Sequence, residues 1–579
     1  MKRFSGIVLC LFVVLSSGLW DVLAPSGARI AKADGPQQDS LLRGLRTWHA
    51  TPLVTIGDHL PSFDLDGEAG WYQPVGVMDG LGAYVLNDRT IRVLVNHELM
   101  RRAGYPYRLR NGTELRGSRV SYFDIDRTTR RVVNSGMAFD TIYDRQGLVA
   151  RRASQVSQVN ERVSGLSLLC SAQLVEGGRH GFVDTILFTH EEAPDPLLHP
   201  HGGSLWALDV ASMSLHAVPA AGRMAFENTA ALQIGGDRVA LLIGDDTVPQ
   251  SEESQTFGQP ATVETPPVHV VAAPLWLYIG KKNASLFEIR QALPSGQFSR
   301  SSDFLNRNGL LVGDLYYFVA DTGITTTAGF HGTGSALSGR WVKIASRDST
   351  KAGQQGYDEW GYKDGFTLRR EAKAGGAFQF SRPEDVSTHP VLGTRAVFSS
   401  TGRDAVFSHD AWGTLYQVDI HFDSMSATLT ILYDGDDAGG GQVAGSDFGL
   451  RSPDNVDWAD DGFIYVQEDN AKTLPPRFGS RSGEESSVWR LDPQNGKIQR
   501  VAQVDRMARL PRGARDSSPG RLGAWESSGI LDITRLLKTQ GGERVLLSTI
   551  QAHSVRDGVI AQANLVEGGQ LVLLSKREY

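Results

Sequence analysis

The stretch Ser452-Pro-Asp-Asn-Val-Asp-Trp-Ala-Asp-Asp-Gly-Phe-Ile-Tyr-Val-Gln-Glu-Asp-Asn470 reads as one β-hairpin with acidic ends. Asp460-Asp461-Gly462 is a turn signal, because glycine takes positive φ without strain and aspartate tolerates the left-handed region. Phe463-Ile-Tyr-Val466 is β-branched and aromatic, the composition of a strand. If the chain reverses at Asp461-Gly462, Asp454, Asn455, Glu468 and Asp469 gather at the open end. Carboxylates held that close repel unless a cation, a proton or an arginine lies among them. A single acidic pair of this kind is an ordinary solvated loop end. The recurrence of such pairs elsewhere in the chain gives this one weight.

A strand of related pattern returns along the chain. It occurs as Gly117–Asp124, Gly203–Asp209, Ala273–Gly280, Gly339–Ala345, Gly413–Asp419, Ser486–Asp492 and Gly569–Leu574, with starts 66 to 86 residues apart. The intervals hold mainly strands and turns, and long amphipathic helical runs are few. This pattern predicts an all-β fold, a β-propeller of four-stranded blades with loop insertions. Seven copies predict seven blades, or six if one copy lies in an insertion or the last strand closes the ring with the first. Gln250–Pro267 is polar and reads as a long surface loop.

The amino terminus has a different character. Lys2-Arg3 precedes the apolar run Gly6–Leu15, and Ala31-Lys32-Ala33 has the form of a cleavage site. Residues 1–33 therefore read as a secretory signal peptide and 34–579 as the propeller domain. No later run is long and apolar enough to span a membrane, so no membrane attachment is expected after cleavage. The formal charge of −7 falls to near −10 once the basic leader is removed, which argues against a nucleic-acid partner. Of the two cysteines, Cys10 leaves with the leader and Cys170 has no partner for a disulfide.

Acids and histidines collect where hydrophobic strands stop: Asn96-His97-Glu98, His190-Glu191-Glu192, Glu227-Asn228, Asp245-Asp246, Glu384-Asp385, Asp454-Asn455, Glu468-Asp469, Trp525-Glu526 and Ala552-His553. In a propeller the ends of the inner strands meet at one mouth of the channel, where such acids converge and need cations. Oxygen-rich donors favour calcium, magnesium or manganese, and the histidines leave room for a transition metal such as iron.

The order of these motifs resembles the PhoX-type alkaline phosphatases. The likeness includes Leu169-Cys170-Ser171-Ala172, Arg382-Pro383-Glu384-Asp385, Glu526-Ser527-Ser528-Gly529 and Val566-Glu567-Gly568-Gly569, and runs from about residue 75 to the carboxyl end. It is strongest with a branch of exported relatives. The resemblance implies a six-bladed propeller, exported to the periplasm or the medium, with calcium and iron at the channel mouth. It also implies hydrolysis of small-molecule phosphate monoesters, here by a monomer. Metal roles fall on Glu98, His190, Glu191, Glu192, Glu227, Asp246, Glu384, Asp454, Asn455, Glu468 and Asp469. In each acidic pair, strand alternation is expected to turn one side chain away. Arg382 is assigned to catalysis as a phosphate clamp, its competing role being an internal salt bridge. Two departures matter: the leader lacks a twin-arginine pattern, and His190 stands where the family is expected to place an iron-binding cysteine. Both shift the expected metal from iron towards calcium. Two other readings compete: a calcium-stabilised propeller that binds a partner without catalysis, and a calcium-dependent lactonase or phytase-like hydrolase.

Overall fold

The computed structural model describes residues 39–577 apart from 64–67, 157–163, 193–201, 253–259, 263–264, 266, 294–295, 297 and 408. The leader and its cleavage site lie outside the described residues, as does much of the Gln250–Pro267 loop. The rest is strand-rich, with short helices such as Leu286–Ala292, Arg300–Arg307 and Gly365–Ala374 in the insertions. No described helix is long and apolar enough to cross a membrane.

The strands are arranged as antiparallel meanders, and the innermost strand of each positions the site. In chain order these inner strands are β1 (Met78–Asn87), β2 (Leu169–Val175), β3 (Phe226–Leu232), β4 (Pro383–Thr388), β5 (Pro453–Trp458) and β6 (Glu526–Asp532). Each packs against the next, and β6 packs against β1, so they form a closed, propeller-like ring. Behind β1 stand Thr90–His97, Arg119–Asp126 and Val132–Met137; behind β5 stand Ile464–Glu468, Ser487–Leu491 and Ile498–Val504. The last sheet is closed by the amino-terminal strand Trp48–Thr55, which pairs with Gly568–Arg577 from Trp48↔Lys576 to Thr55↔Gln570.

Two meanders differ from the simple pattern. Those led by β3 and β4 are joined in one nine-stranded sheet, because Ala336–Ile344 pairs with Val312–Ala320 on one side and with Ser426–Asp434 on the other. This bridging strand holds the Gly339–Ala345 copy of the recurring pattern, whereas the other copies lie in the third strand of a meander.

Burial explains why many strands read as continuous apolar runs. Val239-Ala-Leu-Leu-Ile243 is fully buried on both faces because the flanking sheets cover it. Apolar clusters of this kind lie between neighbouring sheets all round the ring, which leaves the narrow centre to polar residues.

Candidate metal centre

The site arises from one local device repeated around the ring. At the mouth, the inner strand starts opposite the end of its neighbour: Met78↔His97, Leu169↔Glu191, Phe226↔Asp245, Pro383↔Ser400 and Pro453↔Glu468. In the last sheet the first pair is Glu526↔Gln551. Within three residues of the start of every inner strand the register shifts. A bulge bends a strand and re-aims a side chain. The equivalent position on β1–β6 is Asp79, Cys170, Glu227, Glu384, Asp454 and Glu526. The equivalent position just beyond the second strand is Glu98, Glu192, Asp246, Thr401, Asp469 and His553.

These side chains meet. Three donor groups form a connected run, Asp79–Glu98–Cys170, Cys170–Glu192–Glu227 and Glu227–Glu384–Asp454, with the ligand atoms of each group within 4.8 Å of one another. Cys170 and Glu227 are each shared by two groups. A layer below orients the donors. Ser528 Oγ donates to Asp79 Oδ2 at 2.5 Å, and Gln551 Nε2 donates to the same oxygen at 2.7 Å and to Glu98 at 3.2 Å. Ser171 Oγ donates to Glu227 Oε1 at 2.7 Å and accepts from Asn455 Nδ2 at 2.7 Å. Thr401 Oγ1 donates to Glu384.

The electrostatics ask for cations. Burial first, and then mutual repulsion, pushes the carboxyls of Glu98, Glu192, Glu227, Glu384 and Asp454 well above their usual range. Asp79 is raised by burial too, and its Oδ1 is buried without a hydrogen-bond partner. The Cys170 thiol is pushed up by burial and by Asp79, Glu227, Glu98 and Glu192. Hard carboxylate oxygens with one shared sulfur fit divalent cations and iron, so the residues present suit the metals that the resemblance implies.

The ring also carries a cation of its own. Arg382 Nε and Nη2 lie 2.6 and 2.5 Å from the two oxygens of Asp246, and Nη2 lies 3.2 Å from Glu384. The arginine thus sits at the edge of the donor run, in the salt bridge that competed with a phosphate clamp.

The structure divides the residues assigned from sequence. Glu98, Glu192, Glu227, Asp246, Glu384, Asp454 and Asp469 hold the equivalent mouth positions. His190 does not reach the mouth: its Nδ1 lies 2.8 Å from Ser171 O and its Nε2 3.1 Å from Thr229 Oγ1, and burial lowers its pKa to about 3. Glu191 accepts the Ser167 backbone N–H at 3.1 Å. Glu468 is bound by Arg451 through Nε at 3.1 Å and Nη2 at 2.8 Å. Asn455 lies one layer down, as described.

Sequence reasoning passed over Asp79, Cys170 and Thr401 at these positions; it noted Glu526 and His553 at strand ends without assigning them a site role. Asp79-Gly80 has the form of a turn dipeptide, and Cys170 looked partnerless because its neighbours are remote in sequence. A thiol does stand among the acids, on the adjacent inner strand: Cys170 Sγ lies 3.6 Å from Asp79 Oδ2 and shares a group with Glu192 and Glu227. Aligning the strand ends by register is the signal that recovers the missed three.

The family model described as alkaline phosphatase PhoX matches residues 312–513. No curated protein matches the chain. Among solved structures, Pseudomonas fluorescens PhoX in complex with vanadate, described as a transition state analogue, matches with TM-score 0.58 at 14% identity, covering 93% of this chain and 97% of that one. A Trypanosoma rangeli sialidase in complex with the inhibitor DANA covers 92% of this chain and 60% of that one at 9% identity and TM-score 0.30, too low for a shared fold to be argued. Motifs, family model and fold agree in their likeness to the PhoX type, the family model over residues 312–513 and the fold over most of the chain.

Proposed function

We propose that the chain is an exported, monomeric, metal-dependent hydrolase of small phosphate monoesters, working at the mouth of a six-bladed propeller. Dividing the nine-stranded sheet between Ala336–Ile344 and Ser426–Asp434 supports this blade number, since it leaves one meander per inner strand. The observation that carries the function is the connected run of donors from Asp79 to Asp454 with Arg382 at its edge.

Asp79, Glu98, Cys170, Glu192, Glu227, Glu384 and Asp454 would hold the metals, with Asp246 and Asp469 flanking them. The groups that include Cys170 suit iron, and the all-carboxylate group suits calcium. Bound cations would neutralise a phosphate dianion and lower the pKa of water for attack. The chain's own contribution is orientation. Arg382 already presents Nε and Nη2 as a fork to two oxygens of one acceptor, and a phosphate offers the same pair of oxygens. Ser171, Thr401, Ser528 and Gln551 fix the carboxylates by donating to them, so the donor geometry is set before substrate arrives.

The test is elemental analysis beside hydrolysis of 4-nitrophenyl phosphate by protein reloaded with calcium, iron or both. Turnover that requires both metals is expected, and Glu192→Gln and Glu384→Gln should abolish it. Folded, metal-loaded protein without turnover would reject the phosphatase reading in favour of a non-catalytic calcium-bound propeller.

A further inference from the structure

Arg382 is not the only arginine at its edge of the mouth. Thr401 N–H donates to Arg382 O at 3.2 Å, so the chain leaving the strand Arg395–Ser400 lies against it. Two residues on stands Arg403, past Gly402, whose φ of 91° turns the chain. The turn is held by backbone: Arg403 N–H donates to Asp410 O at 2.9 Å, and Arg403 O accepts from the N–H groups of Val406 and Phe407 at 3.1 and 2.9 Å. The side chain of Arg403 is half-buried. Other arginines round the site have acids: Arg382 has Asp246 and Glu384, Arg451 has Glu468 and Asp447, and Arg556 has Glu567. Arg403 has no ion pair among the described residues, and its Nε is buried without a hydrogen-bond partner. Its neighbour Asp404 is engaged elsewhere, by Lys472 Nζ at 2.9 Å and by the N–H groups of Thr473 and Leu474 at 3.0 and 2.8 Å. Burial and the charge of Arg382 disfavour the Arg403 cation more than Asp404 and Asp246 favour it. A guanidinium keeps its charge, and a buried donor without an acceptor is costly. An anion that the chain does not supply therefore belongs against it.

We propose that Arg403 determines substrate specificity at the phosphatase site read above, on which this inference rests: the favoured ester carries a second anionic group on its leaving group, and Arg403 grips it while Arg382 faces the phosphoryl group. In a monoester only the alcohol portion can carry that second group. Both arginines stand on one side of the mouth, so the two anions are a few bonds apart. The guanidinium fork pairs with two oxygens of a carboxylate or of a phosphate, and either anion satisfies the geometry.

The probes are phenyl phosphate, 3-carboxyphenyl phosphate and 3-phosphonophenyl phosphate, whose phosphonate stands in for a second phosphate that cannot be hydrolysed. A meta anion changes the basicity of the phenoxide little, so the three leaving groups are comparable. A charge-assisted pair of this kind is worth about tenfold or more in binding. With calcium and iron loaded, the wild type should prefer at least one doubly anionic ester to phenyl phosphate by about tenfold in kcat/KM. Arg403→Gln should lose that preference through KM, with kcat/KM for phenyl phosphate changed less than about twofold. Arg403→Lys keeps the charge without the fork and should fall between the two. The ester that loses more identifies the anion the site takes. An equal fall for all three esters would place Arg403 on the transferred phosphoryl group and overturn the proposal. A wild type without preference would overturn it too, and both results leave the phosphatase reading intact. A wild type that hydrolyses none of the three would remove both. Should Arg403→Gln misfold, salt decides: sodium chloride screens a half-exposed pair, so the wild-type preference should shrink as salt is raised, and a preference that salt leaves unchanged overturns the proposal.

Discussion

The acidic dyads at the strand ends divide their labour by alternation. In Glu468-Asp469 the first residue faces inward and binds Arg451, while the second stands at the mouth. In Asp245-Asp246, Asp245 accepts from Trp276 Nε1 at 3.0 Å and Asp246 accepts from Arg382. Two glutamates at strand ends can therefore fail differently when neutralised. Arg451 and Glu468 are fully buried, and Asp447 is the only other acid paired with that guanidinium among the described residues, at 3.3 Å. Removing one partner of a buried pair strands the other charge, at a cost of about 3 kcal/mol or more. Glu468→Gln should thus lower stability in denaturant unfolding by about that much and leave metal content unchanged. Glu384→Gln should do the reverse. A Glu468→Gln protein that purified without metal would return Glu468 to the ligand set. Cys170→Ser makes a second residue-level contrast, because a serine hydroxyl is a harder and weaker donor than a thiolate. Elemental analysis should find iron lost and calcium retained. Retention of stoichiometric iron would show that the carboxylates alone hold it.

At the scale of elements, the opening hairpin was readable and its irregular start was not. Composition places the turn at Asp460–Gly462, and Gly462 does take a φ of 85° there. The bulge after Pro453 follows from how β5 packs in the ring, which no local pattern records, so Asn455 and Glu468 looked as eligible as Asp454 and Asp469. The recurring third strands were legible because they are largely buried and rich in aliphatic and aromatic residues. The closing strand Trp48–Thr55 carries no mark of its partner more than five hundred residues away. Contact between neighbouring inner strands sets another hidden constraint. A Cβ on Gly244, next to the second strand's end, would collide with the backbone carbonyl of Glu384 on β4. Such overpacking against backbone costs ~2 kcal/mol and displaces a proposed ligand. Gly244→Ala should melt lower and bind calcium more weakly. Gly541→Ala, whose Cβ meets nothing within 4 Å, is the control. Equal calcium affinity in both variants would show that the ring tolerates the shift.

For the whole molecule, stability should depend on pH in opposite ways with and without metal. His97, His190 and His216 are buried, and burial lowers each to about 3 in the fold, against an ordinary value of 6.5. The unfolded chain binds those protons first, so this contribution is full above pH 6.5 and is lost as the pH falls towards 3. The carboxyls act in the other sense. Burial raises Asp410 to about 7 and Asp457 to about 8, and lifts the donor carboxyls well above their usual range. In each case the fold holds a proton that the unfolded chain has released, so stability is full below about pH 4 and is lost as the pH rises towards the folded value. Above pH 6.5 the histidines are neutral in both states and drop out, leaving the carboxyls to set the slope. Metal-free protein should therefore lose stability steadily between pH 6.5 and 8. Metals bind the deprotonated donors, so their stabilisation grows as the pH rises. The melting-temperature gap between loaded and chelator-treated protein should widen across that range. A metal-free protein that melts higher at pH 8 than at pH 6.5 would mean that the ring of carboxylates is relieved in some way other than by protons and cations.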